Sequence, residues 1–242
     1  ISKEKTNTLI KDFKPDLIFH TGTNSALDYY NNFFISFNED YLSLSNLLNS
    51  ISMNNLDNIP LAFFSSSYVY SGEQINETVN ESLKLKPNHN FGVGKRIFED
   101  ILMKTYKNFL IYRLSSVFGE GCQRKPNAIH NMIDQANKEN KIDLWGNGER
   151  RMQYIHIDDV IINSLGPCLL KPGIYNLGSN DYLSTKEVIN CISDAKNAKI
   201  VILDHKKEGE TLPFMENKKI KQINNFQFQN ILEKIHIYSN NN

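Results

Sequence analysis

The chain has 242 residues with 27 basic and 27 acidic side chains, and no basic block or stripe interrupts that balance, so the electrostatic footprint of a nucleic-acid binder is excluded. No apolar run reaches the roughly 18 residues that span a bilayer, and no secretory leader is visible at the start. Cys122, Cys168 and Cys191 are odd in number and widely spaced, fitting neither a disulfide framework nor a zinc site, so the expected compartment is reducing and cytoplasmic, with no metal.

Leu9-Ile10-Lys11-Asp12-Phe13 reads as the end of an amphipathic helix, stopped by Lys14-Pro15, because the residue before proline is pushed out of the helical region. Asp16 to His20 follows as a short strand, with Thr21-Gly22-Thr23 turning its end. From about Ser36 to Met53, Phe37, Tyr41, Leu44, Leu47, Leu48 and Ile51 recur at helical spacing. The next strand is Leu61 to Ser65. Helix and strand alternate here in the rhythm of βαβ units and a parallel sheet.

The stretch from Phe63 to Lys95 organises the chain. Its first part is an apolar run that breaks into hydroxyls at Ser65, Ser66 and Ser67, followed by Tyr68 and Tyr70. A buried strand of this kind delivers its hydroxyls to its carboxyl end, where open parallel sheets bind ligands. The second part, Pro87 to Lys95, leads into a helix with Phe91 and Lys95 on one face, since residues four apart are neighbours there.

Ile97, Ile101, Leu102 and Tyr106 continue that helix, and Asn108 to Arg113 forms the next strand. A loop with Gly119 and Gly121 leads into a helix near Ala128 to Ala136. Beyond Lys141 the segments shorten, with strands at Ile142 to Trp145 and Gln153 to Ile157, a helix from Asp158 to about Leu169, and a strand at Gly173 to Asn176. Ser184 and Glu187 have the spacing of a capping box opening a helix through Ile192. A β-rich run at Lys199 to Leu203 and a helix from Phe226 to Ile235 complete the chain.

These segments carry a resemblance to a known family. Lys14 to His20 resembles the "KPDVVFHLA" strand of extended short-chain dehydrogenases of the nucleotide-sugar epimerase, dehydratase and reductase group, and Ser65 to Tyr70 resembles their "SSxxVYG". Pro87 to Lys95 is similar to "PxxxYxxxK", Arg113 to Gly119 to "RxxNVYGP", Gly146 to Val160 to "GDGxxxRDFIHVDDV", and Tyr175 to Gly178 to "YNIG". The motifs stand in the family's order across nearly the whole chain. The resemblance implies an α/β, Rossmann-like doubly wound parallel sheet, incomplete at its N-terminal side, with a small C-terminal substrate-binding α/β subdomain. It divides the chain into 1–120, a partial NAD(P)-binding domain, and 121–242, a substrate subdomain interleaved with the last Rossmann elements. The family's Gly-rich turn is nowhere in the chain, which opens at Ile1 and not at methionine, so further sequence is expected upstream.

The family chemistry is hydride transfer between a sugar carbon and NAD or NADP. A tyrosine takes the sugar hydroxyl proton, a Ser or Thr orients that oxygen, and a lysine four residues on lowers the tyrosine pKa. By resemblance, Ser66 is the orienting hydroxyl and Lys95 the lysine, while Phe91 stands in the tyrosine position without an ionisable proton. Thr21, Gly22, Ser65, Lys95, Leu114 and Ser115 are the implied cofactor contacts. Ser67, Tyr68, Ser116, Arg151 and Met152 are the implied substrate contacts. Ser67 and Tyr68 replace the acidic pair of dehydratases, which favours epimerisation or keto-reduction. Ser116 replaces an asparagine that helps hold substrate, and Met152 replaces the arginine that grips the diphosphate, with Arg150 and Arg151 beside it. Tyr68 and Tyr70 are the phenols nearest Ser66 in sequence that can substitute for the missing acid.

Asp158-Asp159 is expected to open a helix, where carboxylates suit the N-terminal dipole, and not to bind metal. His20 and His156 read as core or edge histidines. A serine hydrolase is excluded by the lack of a G-x-S-x-G elbow. Two readings of function therefore stand. One is an NAD(P)-linked nucleotide-sugar epimerase or reductase of surface polysaccharide synthesis, with a homodimer as the family's common assembly. The other is a catalytically silent relative that binds nucleotide or partner subunits without turnover.

Overall fold

A computed structural model describes residues 2–73, 78–121, 127–166, 169 and 171–242; Cys122 and Cys168 lie outside the described residues. In chain order the elements are α1 (Lys3–Phe13), β1 (Ile18–His20), α2 (Ala26–Asn31), α3 (Phe33–Met53), β2 (Leu61–Ser66), a 3-10 turn (Ser67–Tyr70), β3 (Thr78–Val79), α4 (Asn90–Thr105), β4 (Phe109–Leu114) and β5 (Ser116–Phe118). They continue with α5 (Ala128–Glu139), β6 (Lys141–Trp145), β7 (Arg151–His156), α6 (Ile157–Ser164), β8 (Gly173–Leu177), β9 (Tyr182–Ser184), α7 (Thr185–Lys196), β10 (Lys199–Leu203), β11 (Phe214–Met215), α8 (Lys218–Asn224) and α9 (Ile231–Asn241).

The chain separates into two compact units. The first is Ile1–Glu73, Glu81–Arg113 and Gly166–Tyr175, and the second is Gln74–Asn80, Leu114–Leu165 and Asn176–Asn242.

The first unit is built on a sheet ordered β1-β2-β4-β8, in which β1 and β2 run parallel with His20 opposite Phe63. Its core joins Ile10 of α1 and Leu44, Leu47 and Ile51 of α3 to Leu61 and Phe63 of β2, Phe98 and Leu102 of α4, and Ile111 of β4. Side chains four apart on α4 and on α3 lie on one helical face, so each helix offers a continuous stripe to the strands. Helix α4 starts where His89 caps it, its ring Nδ1 accepting from the Phe91 N–H at 3.2 Å. At Gly92 the helix comes so close to the 3-10 turn that any Cβ would run into the Tyr68 carbonyl oxygen. That contact fixes Phe91 and Lys95 against the end of β2.

In the second unit β5 pairs parallel with β7 and β7 antiparallel with β9, while β6 pairs parallel with β10 and β3 with β11. Its core includes Phe118, Ile129, Ile133, Ile142, Tyr154, Ile189 and Ile235. The capping box at Ser184 and Glu187 forms as the spacing predicts, with Glu187 Oε2 accepting from Ser184 N at 2.8 Å and the Ser184 hydroxyl accepting from Glu187 N at 3.2 Å.

Several helix boundaries differ from the sequence expectation: α3 starts at Phe33, and α5, α7 and α9 run on to Glu139, Lys196 and Asn241. Helix α6 ends at Ser164, five residues before the expected Leu169, and Gly166-Pro167 supplies the reason in the backbone restriction before proline. The last helix starts at Ile231 and not at Phe226, because Asn230 is its cap, accepting from Glu233 N at 3.0 Å, while Asp159 ties down Gln229 N at 3.1 Å just before it.

Candidate functional site

The carboxyl ends of β1 and β2 and the first turns of α4 bring together most of the residues expected in the first unit. Lys95 is 2% exposed. Its ammonium donates to Thr23 Oγ1 at 2.8 Å and to the Phe64 carbonyl at 3.0 Å, and it stands 4.9 Å from the Phe63 ring centre and 5.3 Å from that of Phe91. Burial lowers its pKa to about 8, against the opposing pull of Asp40 and Glu99. The faces of two aromatic rings add a cation–π contribution that partly offsets the loss of water.

Phe91 occupies the centre of an aromatic cluster. Its ring meets Tyr29 edge-on with centres 5.4 Å apart and Tyr68 edge-on at 5.9 Å, and Tyr68 in turn lies 4.4 Å from the His89 ring. Ser66 caps the 3-10 turn, its hydroxyl accepting from Tyr68 N at 3.3 Å. Ser67 is buried and Tyr68 half-buried. Thr21 and Gly22 are exposed at the end of β1, and nothing lies within 4 Å of where a Gly22 Cβ would stand. The Ser65 hydroxyl is buried and has no hydrogen-bond partner among the described residues.

Of the two phenols nearest Ser66, Tyr70 is engaged elsewhere. It is fully buried, and Arg113 Nη1 donates to its hydroxyl at 2.6 Å. Arg113 also grips Glu99 with both arms, Nε to Oε1 at 3.1 Å and Nη2 to Oε2 at 2.7 Å. Tyr68 alone of the pair reaches the surface beside Phe91.

Thr23, Tyr29 and Asp40 belong to this cluster although no motif marks them. Asp40 is 3% exposed; its Oδ1 accepts from Asn24 N at 2.8 Å and Asn24 Nδ2 at 3.0 Å, and its Oδ2 from the Tyr29 hydroxyl at 2.9 Å. Burial raises the Asp40 pKa and pushes the Tyr29 phenol far above its usual range. His20, buried at the end of β1, meets Ser43 Oγ at 3.2 Å, and burial followed by the Lys95 charge lowers its pKa to about 4. No sequence signal marks Asp40, which reads there as one polar residue on a long helix.

In the second unit, Leu114 is half-buried at the end of β4, and Ser115 donates its N–H to the Leu177 carbonyl at 3.1 Å while its hydroxyl is buried without a partner among the described residues. Ser116 lies opposite Tyr154, its hydroxyl accepting from Asn127 Nδ2 at 3.5 Å. Met152 packs into the core at 8% exposure. Arg151 points the other way, as strand alternation requires, with Nη1 on the Tyr182 carbonyl at 3.1 Å and its guanidinium 5.8 Å from the Tyr182 ring centre.

Arg150 reaches the side of a cavity of about 560 Å³ that is also lined by Asp143, Trp145, Lys206 and Glu208. Its Nε donates to the Glu210 carbonyl at 2.9 Å, and Lys206 Nζ stands 4.7 Å from the Trp145 ring centre. Glu208 accepts from Glu149 N at 3.1 Å and Arg150 N at 2.7 Å, fixing the turn that presents Arg150. Trp145 is 48% exposed with Lys206 over its ring, and the carboxylates of Asp143 and Glu208 line the same cavity as the Arg150 and Lys206 cations.

Comparison with known proteins bears on the family and the fold. Residues 2–165 match the model of the NAD dependent epimerase/dehydratase family. A putative UDP-glucose 4-epimerase from Methanocaldococcus jannaschii is 27% identical over 177 residues, covering 70% of this chain and 57% of that protein. The chain spans about half the length of the curated relatives it matches, 46% and 57% in the two cases. Among solved structures, a UDP-glucose 4-epimerase from Thermotoga maritima with UDP-glucose aligns with a TM-score of 0.85 at 14% identity, covering 98% of this chain and 80% of that one. The RMD protein of Pseudomonas aeruginosa complexed with NADPH gives 0.85 at 16% identity, with 99% and 84% covered. At such identities the likeness shows the shared Rossmann-like α/β fold.

Proposed function

The chain belongs to the NAD dependent epimerase/dehydratase family, and from that premise we propose that it serves NAD- or NADP-linked epimerisation or keto-reduction of a nucleotide sugar in cytoplasmic steps of surface polysaccharide synthesis. The observation that carries this reading is the buried Lys95 ammonium, which shares the carboxyl end of a parallel sheet with Ser66 and the open Gly22 turn. Ser65 fits a nicotinamide ribose on the same ground: it is a buried hydroxyl with no partner among the described residues, and a ligand hydroxyl would satisfy it. Thr21, Gly22, Ser65 and Lys95 in the first unit are the residues assigned to hold the cofactor. When bound, the nicotinamide supplies the hydride acceptor.

The chain's own residues do the rest. Ser66 orients the sugar hydroxyl, and Lys95 holds a positive charge at the point where that oxygen gives up its proton. Ser67 and Tyr68 line the sugar side and offer no carboxylate for water elimination. In the second unit Ser116 and Arg151 are assigned to the substrate, whereas Met152, expected there too, packs into the core and offers it little surface; the Trp145–Arg150 cavity is a place for base and diphosphate. On this reading residues 1–120 are the cofactor part and 121–242 the substrate part. A homodimer is the proposed assembly.

Phe91 specifically favours the second reading, a silent relative that binds without turnover, because no proton can leave its ring. The test is to mix the full chain with NAD or NADP and a panel of nucleotide sugars and to follow nicotinamide absorbance and sugar products. Slow conversion of at least one UDP-sugar is the expected result. Saturable binding with no conversion across the panel would instead establish the silent reading.

A further inference from the structure

The first unit buries four charged side chains among its described residues: Asp40, Lys95, Glu99 and Arg113. Glu99 and Arg113 neutralise one another through a two-armed contact, which leaves Asp40 and Lys95. The partners of Asp40 are all neutral donors, namely Asn24 N, Asn24 Nδ2 and the Tyr29 hydroxyl. The partners of Lys95 are neutral acceptors, Thr23 Oγ1 and the Phe64 carbonyl. Each residue is thus well hydrogen-bonded yet unmatched in charge by its own contacts. The cost of burying a lone ion is several kcal/mol, and the two sites adjoin, since Thr23 accepts from Lys95 while the next residue, Asn24, donates to Asp40.

We infer that Asp40 is the counter-ion of Lys95 and its positioning residue: the carboxylate on α3, held by α2 and the loop after β1, keeps the ammonium charged and aimed at the end of β2. The inference deepens the proposed role of Lys95. It accounts for how an ammonium stays ionised beside Phe91, which contributes a ring face and no charge. Of the other groups around Lys95, Glu99 adds to the pull of Asp40 but is already paired. Glu99 on its own helix is taken by Arg113 of β4, His20 on β1 is kept neutral, and the Tyr29 phenol holds its proton. Asp40 and Lys95 each feel the other's charge, consistent with the pairing.

The test is a double-mutant cycle on the ligand-free full chain, with Asp40→Asn, Lys95→Met and the pair, each melted across a pH series. Asp40→Asn should lower the melting temperature by roughly 5–15 °C. Adding Lys95→Met should restore part of that loss, since the orphaned cation is then gone.

The pH profile separates this from a purely structural role. A buried lysine with a lowered pKa sheds its proton in the folded state while the unfolded chain keeps it, so stability rises with pH between about 8 and the ordinary lysine range. In Asp40→Asn that rise should begin at lower pH, and in either Lys95→Met variant it should vanish. If Asp40→Asn does not fold, folding of the double variant supports the pairing. Strictly additive losses, a double variant that rescues nothing, or an unshifted profile in Asp40→Asn would overturn it. Because the cycle reads stability without substrate, its failure is distinct from failure to bind or convert a nucleotide sugar.

Discussion

Replacing Glu99 by alanine is expected to lower the stability of the folded chain by about 3–5 kcal/mol, the usual cost of stranding one partner of a buried ion pair. Arg113 is 2% exposed and would keep only the Tyr70 hydroxyl at 2.6 Å. Its guanidinium joins β4 to α4 through Glu99 and to the 3-10 turn through Tyr70, so the loss falls on the elements that frame Ser66 and Lys95. Denaturant unfolding checks this through a lower midpoint at unchanged slope. The paired substitution Glu99→Leu with Arg113→Met should recover most of the loss, because it leaves no uncompensated charge. A loss below about 1 kcal/mol for Glu99→Ala would mean that the pair behaves as a solvent-screened surface bridge, contrary to its burial.

Phe91→Tyr should raise the rate with NAD and UDP-glucose by about 10²–10⁴-fold, the usual contribution of a positioned general acid–base. The ring is already where the phenol is needed: it lies on the first turn of α4, with its centre 5.3 Å from the Lys95 ammonium. A neighbouring ammonium favours the phenolate and lowers the pKa of the new tyrosine toward neutrality. Lys95→Ala in the Phe91→Tyr background should then remove the gain. Should Phe91→Tyr fold, bind UDP-glucose and stay as slow as the parent, hydride chemistry would not be what this geometry serves.

The strands and long helices were legible in the sequence because their apolar spacing is strong. The strand at Leu61 to Ser65, the helix from Ser36 to Met53 and the capping box at Ser184 all have local causes. Helix α2 was hidden because its six residues carry no full apolar repeat, only a capping box between Ser25 and Asp28. Strands β3 and β11 are two residues each and exist through one another, with Phe214 opposite Thr78. Pairing across such a separation leaves no local trace. Ser66, Phe91 and Lys95 are proposed from motif order. The burial of Asp40 and the turning of Arg150 into a cavity depend on packing between segments far apart in sequence, and no periodicity encodes either.

The same cavity offers the most direct measurement of the central claim. Trp145 is the only tryptophan in the chain and lines the cavity beside Arg150 and Lys206, so its fluorescence reports on what enters. Titrating UDP-glucose into the full chain should quench that fluorescence saturably, and Arg150→Ala should weaken the apparent affinity by about tenfold, equivalent to about 1.4 kcal/mol. Unchanged fluorescence up to millimolar ligand, or an identical curve for Arg150→Ala, would contradict a nucleotide-sugar site in this chain.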